Sequence, residues 1–494
     1  MSLNVEWQLA LSSAQLAALG TLVLFILTYI VSLFRFLWTR QSDNPEKRPP
    51  TIPYYLPGLC HAFRLEWSMD NFLAATVKRW GYQSPLKVRA GTFQFIMVTN
   101  PSHIRSIIRS SRILANRPII MFAMRKWFYT PVDSLHHYNS HHGPHPHLHD
   151  LQLGINISQV TPSVIEAMMD SRILEVYPTL VGDFWEFDRQ LANYSRRLPR
   201  WMIPSAYRTR DRQLANLKAW NRMAYQHSDC SKHGVDDADW DEFFGTRYIK
   251  AHEDLMRKHG LDDDAIASDN LGLLFGANAN AVRAVFWYLF EALKDKPLQE
   301  RLQTELHDCR NPQTDTLDIP QLSTKPLLQS TYAEVLRLRV SGIMTRTNED
   351  VPFCLGPDSD YTVPRNTTMS TFSSITARNQ SAWESVRPQI VSRPLDEFWP
   401  ERFLVRGRED SKLKFSVDGL AECWMPYGGG QRMCPGRHFA KNEIIGTLGL
   451  LLDLFDCELV DRRAANRDQS DQRWVPYGTL PPTRRVVVKL TRRR

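Results

Sequence analysis

No segment of this 494-residue chain restricts its fold as tightly as Pro426-Tyr427-Gly428-Gly429-Gly430-Gln431-Arg432-Met433-Cys434-Pro435-Gly436-Arg437-His438-Phe439-Ala440. Three glycines in a row let a backbone loop approach a flat group closely, through dihedrals that residues with a Cβ resist. A periodic apolar segment begins just after Cys434, which places the cysteine at a helix entrance, where the dipole and free N–H groups stabilise a thiolate. Arg432, two residues before the cysteine, offers a positive charge to an acidic group of the same ligand. The fold must leave room beside Cys434 for a broad planar group; the competing reading is a buried structural cysteine in a glycine-rich turn.

Upstream, Asp262 to Pro297 is the longest helical candidate, about 45 Å at the helical rise. Acids at 262–264 suit its N-terminus, and Lys294 and Lys296 suit its C-terminus. Gly276 and the polar patch Asn278-Ala279-Asn280 interrupt its apolar run and demand a ligand, water or a bent backbone. Glu334 and Arg337 sit three apart on one helical face. Phe398-Trp399-Pro400-Glu401-Arg402-Phe403 follows about sixty residues later. Alternating runs at 86–90 and 93–98 read as a hairpin, and 485–490 as a late strand. The fold expected is mainly α with small β-sheets.

The order and spacing of these motifs resemble the cytochrome P450 family, and the resemblance covers nearly the whole chain. It implies haem b (iron protoporphyrin IX) held by Cys434 as axial iron ligand, in a loop including Tyr427, Gly430 and Gly436, with Arg432 and Arg346 as propionate partners. It also implies a buried structural triad of Glu334, Arg337 and Arg402. Gly276, Val340, Ser341, Gly342, Ile343, Met344 and Thr479, with its neighbours Gly478 and Leu480, are the expected pocket positions.

The pattern departs from the family in three places. The acid–alcohol pair usual in the middle of the long helix is replaced by Ala279-Asn280, and the surrounding run is similar to the sterol 7α-hydroxylase and prostacyclin synthase branch. That branch holds both hydroxylases and an isomerase; Asn280 can hydrogen-bond dioxygen or a proton-carrying water. No Trp-x-x-x-Arg pattern stands near residues 120–170, and Tyr427 replaces the usual phenylalanine.

Residues 16–37 carry no charge until Arg35 and are long enough to cross a bilayer. Basic residues follow the run, so the resulting expectation is a lumenal N-terminus at 1–15, an anchor at 16–37, a basic and proline-rich hinge at 38–58 acting as a stiff spacer, and a cytosolic catalytic domain at 59–494. The net charge of +8 is spread along the chain, which suits an anionic membrane or an acidic protein and not nucleic acid. Seven cysteines without regular spacing argue for a reducing compartment. The histidine-rich run 136–149 is broken by prolines and a glycine and reads as a solvated insertion. Leu198 to Pro204 looks like a membrane-facing roof.

The expected activity is a monooxygenase of the endoplasmic reticulum membrane acting on a terpenoid, sterol-like or polyketide lipophile, a flavour resembling fungal specialised metabolism. NADPH-cytochrome P450 reductase would supply electrons, docking where Arg432, Arg437 and Lys441 are positive. The alternatives are a haem-thiolate isomerase or dehydratase and a non-catalytic haem-binding protein.

Overall fold

The computed structural model describes residues 13–41, 47–139, 160–170, 172–196, 198–356, 359–407, 412–465 and 469–493. They fall into two compact units: residues up to Leu114 together with Thr345–Thr371, and Ala115–Met344 together with Phe372 onward.

The first unit is organised by the hairpin Leu86–Ala90 and Phe93–Met97, paired from Leu86↔Met97 to Ala90↔Phe93. Gly91 turns it with φ +61°, a left-handed backbone that glycine adopts without strain. The second strand pairs in parallel with Thr367–Phe372 through Ile96↔Met369 and Met97↔Ser370. Its apolar side chains (Leu86, Val88, Ile96, Met97) are 1 % exposed or less and form the unit's core.

Helix α1, Ser13–Gln41, precedes this sheet. It is long and apolar enough to cross a membrane. Its apolar side chains from Leu16 to Val31 are largely exposed, but from Tyr29 onward it packs on its own unit. Tyr29 stacks on Tyr55 at 4.4 Å and accepts a hydrogen bond from Arg79 Nη2 at 2.7 Å, while Phe36 lies buried against Trp80 at 4.4 Å. The proline-rich stretch after it is not the free spacer its composition suggests. Ile52 N donates to Lys87 O at 3.0 Å and Lys87 N to Pro50 O at 2.8 Å, so the segment lies along the hairpin's edge. Prolines are tolerated at a sheet edge, and the non-proline residue between them keeps the N–H that the pairing needs.

The second unit is almost wholly helical. Helices α2 (Pro204–His227), α3 (Asp263–Asn278), α4 (Ala281–Lys294), α5 (Pro326–Arg339) and α6 (Arg437–Leu454) position its site. Leu289, Leu328, Leu336, Ile445 and Leu448 lie in one apolar core built by α4, α5 and α6. The single helix expected from Asp262 to Pro297 is interrupted at Ala279-Asn280, and Pro297 begins the next helix instead of ending this one. Asn278 Nδ2 bonds back to Leu274 O at 3.1 Å, and the Asn280 side chain turns away to a neighbouring strand; local amide bonds of this kind compete with the helical ladder. Strand Tyr477–Thr479 pairs antiparallel with Val340–Gly342. The late strand is Val488–Arg492, three residues further on than its sequence suggests, paired with Phe455–Leu459. Trp201 and Met202 in the expected roof segment are 79 % and 50 % exposed. Most of the histidine run, residues 140–149, lies outside the described residues, and among the described residues no cluster of three His, Cys, Asp or Glu could hold a metal ion.

Candidate functional site

Cys434 sits in a tight loop whose turns depend on glycine. Gly428 and Gly430 have φ of +74° and +72°, and Cys434 N donates to Tyr427 O at 3.0 Å, closing the loop. The helix α6 begins at Arg437, after Gly436, and the Cys434 residue itself is exposed. Surrounding protein pushes the thiol above its ordinary value, while the Gly436 N–H and Arg437 pull the other way. The Gly436 N–H at the helix entrance acts in the direction the sequence suggests, and a bound metal cation would add to it.

Three contacts from one face of α5 hold the segment around this loop. Trp424 Nε1 donates to Ala333 O at 3.0 Å, the Tyr332 and Tyr427 hydroxyls pair with one another, and Lys441 Nζ donates to Gln329 Oε1 at 2.5 Å. The same helix carries Glu334 and Arg337. Arg337 donates to both Glu334 oxygens at 2.7 and 2.9 Å, and Arg402 Nε donates to Glu334 Oε1 at 3.0 Å. All three are 2 % exposed or less. The remaining guanidinium N–H groups reach backbone carbonyls, including Leu395 O from Arg337 and Ile390 O from Arg402. A buried ion cluster is tolerated only with such complete hydrogen bonding. The structure thus brings Glu334, Arg337, Arg402, Tyr427 and Cys434 into one framework.

On α4 the geometry is different. Asn280 Oδ1 accepts a hydrogen bond from Thr479 N at 2.8 Å, and a Cβ on Gly478 (φ +100°) would lie 2.1 Å from that oxygen. Arg283 donates to Thr479 O at 3.3 Å and Trp287 Nε1 to Leu480 O at 2.7 Å. Arg283 also pairs with Asp188, whose carboxyl burial pushes up to about 6 despite the guanidinium. Asn280, Arg283 and Trp287 share one face of the helix and clamp the strand that carries Thr479. Ala279 is 1 % exposed at the break itself. At Gly276 an added Cβ would meet nothing within 4 Å, so the helix presents open space there.

A family comparison matches residues 188–484, more than half of the chain, to the cytochrome P450 model. The chain belongs to the cytochrome P450 family. It is 28% identical over 549 residues to the cytochrome P450 monooxygenase fsoE of Humicola fuscoatra, covering 95% of this chain and 94% of the relative. It is 27% identical over 548 residues to the monooxygenase efuG of Hormonema carpetanum, covering 97% and 96%. A shorter similarity, 28% over 240 residues (46% of this chain, 45% of the relative), links it to cholesterol 7-alpha-monooxygenase of Cricetulus griseus. The protein is a cytochrome P450 monooxygenase, of a family whose cofactor is haem.

The P450 residues fit that group on two counts: Cys434 is exposed beyond a loop whose glycines present no side chain, and Gly276 faces open space. Arg432, half-buried, precedes the cysteine in the loop; Arg346 is buried in the first unit, its Nη1 donating to Thr345 O at 2.8 Å. Ser341 and Gly342 are engaged by Ser374 and Ser373, and Val340 and Met344 are buried, so of that run only Ile343 is substantially exposed, at 36 %. Lys441 is not the free surface cation expected of it: burial lowers its pKa and Gln329 holds it. Arg437 donates to Cys434 O at 3.1 Å.

Sequence reasoning missed an aromatic wall. Phe275 packs against Trp127 at 6.2 Å, Phe128 at 5.9 Å and Phe187 at 6.4 Å, and Trp127 meets Tyr477 at 6.2 Å. The dense run Trp127-Phe128-Tyr129 and the Tyr477-Gly478 pair were its only local signals. It also missed Glu443, 4 % exposed with neither carboxyl oxygen partnered among the described residues, which burial pushes up to about 8.

Proposed function

We propose that Cys434 is the axial thiolate of haem b, that Arg432 and Arg346 meet its propionates, and that Gly430, Gly436 and Tyr427 shape its cradle. The enzyme then inserts one oxygen atom of dioxygen into a lipophilic small molecule, of terpenoid, sterol-like or polyketide type. The haem supplies the oxygen-activating chemistry when bound. Glu334, Arg337 and Arg402 keep the thiolate loop in register, acting through position alone. The Asn280 amide Nδ2, left by the engaged carbonyl oxygen, can donate a hydrogen bond toward the oxygen-binding side, beside Ala279. Gly276 and the Phe275–Trp127–Tyr477 wall exclude water and orient an apolar substrate.

The observation that carries this reading is the exposed cysteine on a left-handed glycine loop, braced by a fully buried Glu–Arg–Arg cluster. The two fungal relatives that span almost the whole chain support the monooxygenase assignment, and the cholesterol 7-alpha-monooxygenase similarity supports a rigid polycyclic substrate. The apolar, exposed half of α1 supports a single membrane anchor at 16–37 and a microsomal setting, the catalytic domain (59–494) on the cytosolic side beside NADPH-cytochrome P450 reductase. Engagement of the Asn280 oxygen by Thr479 favours one second reading, a haem-thiolate isomerase that needs neither dioxygen nor reductase.

The test is the ferrous–CO difference spectrum of the wild type and of Cys434→Ser. A thiolate-type Soret band in the wild type, abolished in the variant, is expected; a band that survives in Cys434→Ser removes the ligand assignment. Turnover of a polycyclic lipophile with reductase and dioxygen, against turnover of a lipid peroxide without them, separates the two reactions.

A further inference from the structure

The last turns of α1, the proline-rich segment and the first strand of the hairpin enclose a cavity of about 480 Å³. Ser32, Arg35, Trp38, Thr39, Tyr54 and Arg89 line it together with Phe34, Phe36 and Thr51, and among the described residues no carboxylate does. Tyr54 N and Tyr54 O both bond Ser32 Oγ at 3.1 Å, which fixes one wall to the other. Neither the Arg35 nor the Arg89 guanidinium has a hydrogen-bond or ion-pair partner among the described residues. Close by, burial and the neighbouring Arg89 and Arg48 hold the Lys87 amine below its ordinary value. This corner therefore carries uncompensated positive charge.

Its depth is equally informative. The exposed apolar residues of α1 run from Leu16 to Trp38, about 33 Å at the helical rise, and the cavity is lined by the last turns of that run, from Ser32 onward. Trp38, 71 % exposed, and Tyr54 are among its lining residues, and their amphipathic rings favour the headgroup level of a bilayer. A cationic cavity at that level, with an apolar helix leading away from it, matches a molecule with an anionic head and apolar tails.

We propose that this cavity binds the headgroup of an anionic glycerophospholipid, its phosphate between Arg35 and Arg89 and its acyl chains along α1. The proposal rests on the membrane reading of α1 given above. Charge complementarity selects this occupant: a headgroup with net negative charge balances two guanidinium groups that no described residue pairs.

The full-length haem-loaded protein is inserted into phosphatidylcholine membranes containing a minor share of phosphatidylserine, extracted in mild detergent, and its retained lipid is quantified. Enrichment of phosphatidylserine over the bulk membrane is expected. It should fall about five-fold in Arg35→Gln and in Arg89→Gln, and stay unchanged in Arg112→Gln, an exposed arginine of the same unit. An unchanged ferrous–CO spectrum certifies that each variant is folded. Retained lipid that mirrors the bulk membrane overturns the proposal while leaving the anchor intact. Recovery of the wild type in the soluble fraction overturns the anchor and the lipid site together. Release of the phosphatidylserine by inorganic phosphate would show a simple anion site and also overturn it.

Discussion

The cysteine loop and the break between α3 and α4 are both points where the chain departs from regular structure, and they are stabilised in opposite ways. The loop is braced from behind: α5 contacts its flanks through Ala333, Tyr332 and Gln329, and Cys434 closes it through its own backbone N–H to Tyr427 O. At the break, the residue at the motif position is itself a structural tie, because the Asn280 oxygen is bound to Thr479 N. Beside the cysteine the bracing thus falls on residues flanking the motif's centre, whereas the motif position on the long helix has itself taken on the work of holding a strand. Substitutions around the cysteine should therefore show in stability before chemistry, and substitutions at the break should change both together.

The largest break in that contrast is Glu334→Gln. It leaves two fully buried guanidinium groups without their shared anion, an effect of about 3–5 kcal/mol. Urea unfolding should show a lowered midpoint with loss of retained haem; a change under about 1 kcal/mol would mean that the cluster does not brace the loop.

Glu443 sharpens the comparison through pH. Its carboxyl is raised from 4.5 to about 8 in the folded chain by burial, so between those values the native state binds more protons than the unfolded one. Its contribution is fully present below about pH 4.5 and is lost as pH rises to about 8. Glu443→Gln should flatten the fall in urea midpoint between those limits and be the more stable protein at the alkaline end. A slope equal to the wild type's would show that Glu443 finds a partner and titrates normally.

The smallest effect expected is Gly478→Ala, which adds left-handed strain and a clash with Asn280 Oδ1, about 1–3 kcal/mol in all. Asn280→Ala in the same chain removes the clash and leaves the strain, so the double variant should be more stable than the two single effects added together. Strict additivity in thermal unfolding would separate the strand from the helix and erase the contrast drawn here.

Much of the cysteine side was legible because its constraints are local. Glycines at 428 and 430 announce left-handed turns, and Glu334 with Arg337 share a helical face by spacing alone. The Tyr332–Tyr427 hydroxyl pair was not, since it joins residues 95 apart whose separate sequences carry no sign of one another. The helix break was half visible: Asn278 and Asn280 signalled an unsatisfied polar patch, but their partners, Leu274 O and Thr479 N, are chosen by tertiary structure. The proline-rich stretch misled because composition reports stiffness and says nothing of the sheet edge beside which an extended chain can lie. The clamp by Arg283 and Trp287 was invisible for the same reason, its acceptors lying about 190 residues downstream.

That clamp has an evolutionary corollary. Thr479 and Leu480 are gripped by their backbone atoms, through the side chains of Asn280, Arg283 and Trp287, and Leu480 N is further bound to Arg339 O, so the grip depends on the three helix-side residues and not on which side chains the strand carries. The aromatic run at 127–129 is tied by side chains instead: Trp127 Nε1 donates to Ser195 Oγ at 2.9 Å and its ring packs on Phe275 and Tyr477. Lineages descending from this chain can therefore exchange the side chains at 479 and 480, as far as packing allows, while the strand stays held, whereas changes at 280, 283 or 287 release it.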